Sequence, residues 1–299
     1  MFSILTHEIS IDKKDLICGF LKTLDTENSE LTFTNLFIWR KSYNVRYIIL
    51  FDTLVIISKH QDSPYTIYFP IGDGNRENAL SEVIQFFEKE DKEFQIRIYD
   101  EKDIEKIEKL FPGKFRVEED TDSFDYVYKI SDLANLAGKK YHSKRNFINR
   151  FENRYDYVYE KMTPRDKDEC LKLFKKWYSE KDSRIYGLEE SFAAVTELLD
   201  NWENLDITGG CIRVSGKMVA FSFGEPLNSN NHTVVIHLEH ADTSFDGAFP
   251  MMNRQFLLSA WQDYSFVNRE EDMGLEGLRK AKQSYYPCRM AKKYYARKK

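Results

Sequence analysis

The chain has 299 residues, a formal net charge of −5, 42% hydrophobic and 15% aromatic residues; it can bury a core, is not a disordered chain, and is long enough for two domains or one repeated unit. Met1 to Ile9 lacks a basic start and a long apolar run, and the apolar stretch Tyr47 to Ile57 is split by Asp52 and Thr53, so neither a secretory leader nor a membrane span is expected. The cysteines Cys18, Cys170, Cys211 and Cys288 form no CxxC pair and suit buried thiols in a reducing compartment, which makes a cytoplasmic location the expectation.

Along the first half, Asp12 is placed to cap a helix whose apolar face is Leu16, Ile17, Phe20 and Leu21, and Phe33 to Trp39 reads as a second helix. Strands are expected at Val45 to Leu50, Leu54 to Ser58 and Tyr65 to Pro70. Gly72-Asp-Gly74 breaks the pattern before a helix from Glu77 to Lys89 and a strand from Phe94 to Tyr99. A short helix, Glu101 to Leu110, is stopped by Pro112 and Gly113, and Phe124 to Ile130 returns to strand character.

The second half opens on a basic stretch, then repeats the theme. Thr163, Pro164 and Asp166 form a helix start, followed by Cys170, Leu171, Phe174, Trp177 and Tyr178 at helical spacing. Phe192, Val195, Leu198, Leu199 and Trp202 mark a further helix. Cys211 to Val214 and Met218 to Phe223 predict a hairpin around Ser215-Gly216, ahead of a strand Val234 to Glu239, a helix Ala248 to Trp261 and a strand Ser265 to Asn268. Both halves thus run helix, helix, hairpin, strand, helix, strand without a residue-level repeat. The expected class is α/β (α+β), with an N-terminal domain over 1–123 and a C-terminal domain over 124–299 that carries the site.

Positive charge is concentrated. Residues 139–154 carry six Lys/Arg against Glu152, residues 275–299 carry nine against Glu276, and the remainder of the chain is left at −18. Such segregation points to a site for a phosphate-bearing ligand. As a helix, the first stretch places Phe147, Ile148, Phe151 and Tyr155 on one face, Arg145 and Asn149 on one flank, Asn146 and Arg150 on the other, and Lys144 at the edge of the apolar side. The asparagines add directional donors to guanidinium forks suited to phosphate oxygens; a solvated flank is the alternative. In the second stretch, Leu275, Leu278 and Ala281 are expected to face the core of a short helix, with Arg279 and Lys282 on a common side. Pro287 should make Tyr286 extended and stop that helix near Ser284 or Tyr285. Tyr285 and Tyr286 either stack on a ring or fill an interface. Lys292, Lys293, Arg297, Lys298 and Lys299 read as a flexible basic tail.

Three segments, Lys144-Arg-Asn-x-x-Asn-Arg-Phe151, His237-Leu-Glu-His-Ala-Asp242 and Asn268 to Pro287, resemble the soluble C-terminal domain of the lysylphosphatidylglycerol synthetases and their soluble relatives. The element order resembles the GNAT acyltransferase fold in tandem. The resemblance implies two mixed sheets flanked by helices, and kinship with Fem-type aminoacyl transferases, which move an amino acid from charged tRNA to an amine or hydroxyl. The lysyl-lipid enzymes carry a membrane-embedded half, which is not expected here, and this counts against a lipid acceptor. GNAT enzymes hold the pyrophosphate of coenzyme A on a glycine-rich turn at a helix N-terminus. The corresponding turn, Thr243 to Ala248, has one glycine, Gly247. Asp246 either sets a carboxylate beside the phosphates or caps the helix, and both readings weaken coenzyme A binding.

Acyl transfer needs an activated carbonyl, oxyanion donors, a route for the nucleophile's proton and a grip on the carrier. Glu239, sharing a strand face with His237, is the candidate for proton handling, and Glu271 and Asp272 beside Glu270 are further candidate carboxylates for an acceptor amine or for pairing with Arg269 or Arg279. Asn268, Arg269, Arg279, Lys282, Ser284 and Tyr285 join Lys144, Arg145, Asn146, Asn149 and Arg150 as phosphate-binding candidates. His237 is otherwise a hydrogen-bonded histidine within the sheet. A metal is not expected, since there is no third ligand at motif spacing and no HExxH order. There is no GxSxG elbow, Walker loop, GxGxxG or cysteine nucleophile context, so direct attack by a bound amine in a ternary complex is expected. Three functions follow: transfer from aminoacyl-tRNA to a small-molecule or peptide amine or hydroxyl, acetyl-CoA-dependent N-acetylation, or non-catalytic nucleic-acid binding.

Overall fold

In a computed structural model of the protein, residues 6–179, 187–228 and 232–299 are described; residues 1–5 of the stretch read for a leader lie outside them. Among the described residues no helix is long and apolar enough to cross a membrane. The chain runs through β1 (His7–Glu8), α1 (Lys14–Leu21), α2 (Phe33–Trp39), β2 (Arg46–Leu50), β3 (Thr53–Ser58), β4 (Tyr65–Tyr68), α3 (Arg76–Lys89), β5 (Phe94–Ile98), α4 (Glu101–Leu110) and β6 (Phe115–Glu119). It continues with β7 (Asp125–Lys129), α5 (Ile130–Asn135), α6 (His142–Arg154), β8 (Tyr157–Lys161), α7 (Lys167–Ser179), α8 (Leu188–Asp200), β9 (Thr208–Val214), β10 (Lys217–Asn228) and β11 (Thr233–Ala241). The last elements are α9 (Ala248–Ala260), β12 (Phe266–Asn268), α10 (Glu276–Gln283), β13 (Arg289–Ala291) and β14 (Tyr294–Lys298). Two compact units result: Met1–Asp125 with Glu271–Gly274 and Ala291–Lys299, and Tyr126–Glu270 with Leu275–Met290.

The first unit holds a seven-stranded sheet in the order β1-β2-β3-β4-β5-β14-β6. Its parallel pair, β4 and β5, stays zipped from Tyr65–Phe94 to Tyr68–Arg97, and the Phe69 N–H continues the ladder to Arg97 O. Val55, Ile57, Ile67, Ile84, Phe87, Ile96 and Ile98 build the core. The C-terminal residues, expected as a flexible tail of the second domain, form β14 between β5 and β6 in this first sheet. Tyr294 and Ala296 alternate into the core there, and only long-range pairing reveals it. β6 and β8, unrecognised in the sequence, are short, charged and half exposed. Asp12 does not cap α1; it accepts from Ser10 Oγ at 2.6 Å and pairs with Lys13. Ile130 opens α5 rather than closing a strand.

Lys293 is fully buried. Its Nζ lies 2.8 Å from Asp125, 2.9 Å from Glu30 and 3.6 Å from Glu271. Arg97, also buried, donates to Glu30 and Asp120, each at 2.6 Å, and Tyr99 Oη donates to Glu30 at 2.8 Å. Burial alone would raise the Glu30 carboxyl; Arg97 and Lys293 outweigh it and hold it well below the usual carboxylate range.

The second unit holds a seven-stranded sheet, β13-β7-β12-β11-β10-β9-β8. The expected helix start at Thr163 is present as a capping box, with the Thr163 N–H donating to Asp166 Oδ2 at 2.8 Å. α9 packs on β9, β10 and β11 and against α5 and α6, burying Met251, Met252, Phe256 and Leu257, each worth about 1.5–3 kcal/mol. α7 packs against α8, β10 and β11. α10 departs from expectation: none of its residues is buried, and Leu275 and Leu278 are exposed. The helix stops at Gln283 as expected, but Tyr286 is left-handed at φ +55° rather than extended, in a closing turn where its N–H reaches Gln283 O.

Candidate active site

The site begins where two parallel strands part. β11 pairs with β12 only from Thr233–Phe266 to Val235–Asn268. Beyond that β11 stays on β10 as far as Ala241, while the chain after β12 keeps to β7, with Arg269 N–H donating to Tyr126 O. A bulge on β11 sits at the parting, because Ile236 faces Gly224 and Leu238 faces Phe223, leaving His237 as the extra residue. A β-carbon on Gly224 would stand 2.5 Å from Val235 O, so only glycine allows this approach.

Side chains bridge the gap in two rungs. His237 Nδ1 lies 2.9 Å from Glu270 Oε1, and its Nε2 lies 2.9 Å from Glu225 Oε1. Burial would lower the imidazole, but the two carboxylates prevail and raise it to about 10. Glu239 forms the second rung, accepting from Arg269 at 2.9 Å and from Asn253 on α9 at 3.1 Å. The sequence reading found Glu239 and kept a hydrogen-bonded His237 in view; it missed Glu225 and Asn253, although a carboxylate inside the apolar run Phe221 to Glu225 is a visible anomaly.

The two basic stretches meet at Tyr285. Its buried ring carries Lys144 Nζ at 3.9 Å and the Arg269 guanidinium at 4.9 Å, and Tyr141 Oη donates to Tyr285 O at 3.1 Å. Arg269 Nη1 is buried without a hydrogen-bond partner. Lys144 has no carboxylate partner among the described residues; half-burial, and then repulsion from Arg269, bring its amine down to about 8. Burial also pushes the Tyr285 phenol up to about 12.

Several expected phosphate ligands are engaged elsewhere. Arg145 donates to the carbonyls of Leu136 and Gly138, because left-handed backbone at both positions turns those oxygens out of any helix ladder. Lys282 Nζ donates to the carbonyls of Arg269 and Glu270 at 2.5 and 3.0 Å and so fixes the end of β12. Asn268 is buried and accepts from the Glu270 N–H at 2.6 Å. Ser284 Oγ returns to Ala281 O. Arg279 lies half-buried on α10, Asn146 Nδ2 sits 3.2 Å from His142 Nε2, and Asn149 is exposed. Glu271 and Asp272 fall in the first unit: Glu271 faces Lys293, and buried Asp272 accepts from the Gly274 N–H at 2.9 Å. The chain changes units after Glu270.

The turn before α9 is packed against α6. Gly247, at φ +92°, is the residue that precedes the helix, and a β-carbon there would stand 2.4 Å from Phe147 O of α6. Asp246 neither caps α9 nor is free, since Arg150 Nε lies 3.2 Å from it. In the first turn, Ala248 N–H donates to Phe245 O, Pro250 has none, and Met251 N–H donates to Gly247 O. Gly247→Ala is expected to lower stability by about 2–4 kcal/mol, combining left-handed strain with overpacking against α6. A urea midpoint unchanged from wild type would contradict that contact.

Two mixed sheets flanked by helices define the class: this is a tandem GNAT-like acyltransferase fold. The profile of the family described as phosphatidylglycerol lysyltransferase, C-terminal, matches residues 21–297, and the chain belongs to that family. It is similar to a conserved protein of unknown function from Bacteroides thetaiotaomicron, with a TM-score of 0.91 and 38% identity over 98% of this chain and 99% of that one. The C-terminal domain of a putative lysylphosphatidylglycerol synthetase from Agrobacterium fabrum shares the fold, with a TM-score of 0.68 and 11% identity over 97% of this chain and 93% of that one. An uncharacterized protein of Mycoplasmoides gallisepticum is 24% identical over 176 residues, 58% of this chain and 55% of that protein's length.

Proposed function

We propose that the protein passes an amino acid from aminoacyl-tRNA to an amine or hydroxyl acceptor, by direct attack in a ternary complex. The observation that carries this reading is the Tyr285 cluster, where a fixed cation with an unused buried N–H, Arg269 Nη1, stands beside a titrating amine, Lys144. Arg269 holds a phosphate oxygen of the carrier or the charge that develops on the ester carbonyl oxygen. Lys144 takes the proton that the acceptor amine loses as its nitrogen bonds to the ester carbon and the ribose oxygen departs. Glu239 has one oxygen on Arg269 and the other on Asn253, so it orients the guanidinium rather than acting as the base.

Coenzyme A fits less well. The first turn of α9 has few donors to offer and is packed against α6, and the gap between β11 and β12, where an extended arm would lie, is crossed by the His237–Glu270 and Glu239–Arg269 rungs. The test is to mix the protein with labelled aminoacyl-tRNAs and a panel of amine and hydroxyl acceptors. Transfer is expected, falling about 100-fold or more in Arg269→Gln, with a rate that rises with pH through about 8 in the wild type and loses that rise in Lys144→Met. Absence of transfer and of tRNA protection with every charged species would defeat this version. Micromolar heat with coenzyme A in calorimetry would instead favour acetyl transfer.

A further inference from the structure

We propose that Lys144 is itself a site of modification, acylated by small activated acyl esters ahead of the chain's surface lysines. The placement of the amine carries this independently of the transferase reading. Lys144 stands on α6 with its Nζ 3.9 Å from the centre of the Tyr285 ring. Other lysines of the chain have a carboxylate within reach, as Lys280 has Glu276 at 2.5 Å and Lys176 has Asp242 at 2.8 Å. Lys144 has a guanidinium instead, because Arg269 shares the same ring.

Among the described residues, none of the groups facing Lys144 supplies it with a counter-charge. From the end of β12 comes Arg269, whose charge is partly offset by Glu239 of β11; from the segment after α10 comes the neutral phenol Tyr285, with Tyr128 of β7 behind Arg269. On its own helix, the adjacent Arg145 turns away to the Leu136 and Gly138 carbonyls. Half-burial and the guanidinium alongside favour loss of the proton, and together they outweigh the attraction of the ring face for the ammonium. The result, an amine brought down to about 8, leaves a substantial neutral fraction near neutral pH. At pH 7.5 such an amine is roughly a quarter neutral, against about 0.1% for an ordinary lysine.

The step balances without a further reagent. The neutral Nζ bonds to the ester carbonyl carbon, the bond from that carbon to the leaving oxygen breaks, and the ammonium proton lost from nitrogen leaves with that oxygen or to water. The product amide carries no charge, so acylation removes one of the two cations on Tyr285 and would shut down a site that depends on the pair.

The experiment treats the full chain with substoichiometric N-succinimidyl acetate between pH 6.5 and 10 and measures acetylation of each lysine by peptide mass spectrometry. At pH 7.5 Lys144 is expected to react at least about tenfold faster than exposed Lys139, with lower basicity offsetting part of its larger neutral fraction. Its rate is expected to level off above about 8. Parity with Lys139, or a Lys144 rate that climbs without levelling to pH 10, would overturn the proposal. In Arg269→Gln, checked for folding by circular dichroism, Lys144 is expected to slow severalfold at pH 7.5; an unchanged or faster rate would overturn the electrostatic basis.

Discussion

Lys293→Met is expected to destabilise the first unit by about 3–5 kcal/mol, the usual cost of removing one partner from a buried ion pair. The ammonium has no solvent exposure and sits between Asp125, itself without exposure, and Glu30. Methionine fills a similar volume but leaves both carboxylates with one cation fewer, and Glu30 then depends on Arg97 and Tyr99 alone among the partners described for it. The pair as a whole need not be more stabilising than an apolar core of the same shape; the cost arises from breaking it on one side. Lys293→Met/Asp125→Asn should therefore recover part of the loss. Urea unfolding, followed by hydrogen exchange in peptides from β5, β6 and β14, reports the first unit separately, and a loss below about 1 kcal/mol would show that the cluster is not coupled as its distances indicate. The sign with pH also follows. Glu30 is held below its ordinary value, so its contribution is present above the unfolded carboxylate value and is lost as pH falls through the lower folded one.

The same lysine shows where the sequence stopped being informative. Segments with their own period, such as the apolar stripe of α9 or the Thr163 capping box, announce themselves locally, and the repeated element order made the tandem GNAT-like fold readable. β14 does not. Tyr294 to Lys298 is a strand because β5 and β6, nearly two hundred residues earlier, supply its partners, and no local pattern separates it from a solvated basic tail. α10 failed in the opposite sense: Leu275 and Leu278 have core spacing, yet both stay exposed. Spacing states which residues share a face, not whether anything covers it.

At the site, the sequence identified the segments better than the roles. A run of Lys, Arg and Asn marks a place that gathers charge, but which cations remain available depends on carbonyls that loops leave unpaired. Arg145 goes to the turn at Leu136 and Gly138, Lys282 to the end of β12, and Arg150 to Asp246. Lys144 and Arg269 are left on Tyr285. That outcome rests on backbone conformation, in particular the left-handed Leu136 and Glu270, which neither residue type favours. His237 was legible as a sheet histidine; its bulge and its two carboxylate partners were not.

Those two carboxylates set the remaining large effect. His237→Gln is expected to lower stability by about 3 kcal/mol near pH 6.5, because an amide cannot supply the charge that Glu225 and Glu270 face. A shift from 6.5 to about 10 has a ceiling near 5 kcal/mol, and the hydrogen bonds that a glutamine amide can still donate bring the expectation below it. The folded imidazole is raised above its unfolded value, so its stabilisation is complete below pH 6.5 and is lost as pH rises through about 10. Lys144 acts with the opposite sign: its folded value of about 8 lies below the unfolded one of 10.5, so its contribution to stability grows with pH above about 8. The wild-type profile alone therefore mixes the two, and the difference between wild type and His237→Gln isolates the histidine. Urea midpoints for both proteins from pH 6 to 10.5 should converge from a gap of about 3 kcal/mol to less than about 1 kcal/mol. A gap that stays constant over that range would mean that the imidazole serves β11 by packing, and that the rung across the parted strands carries no charge.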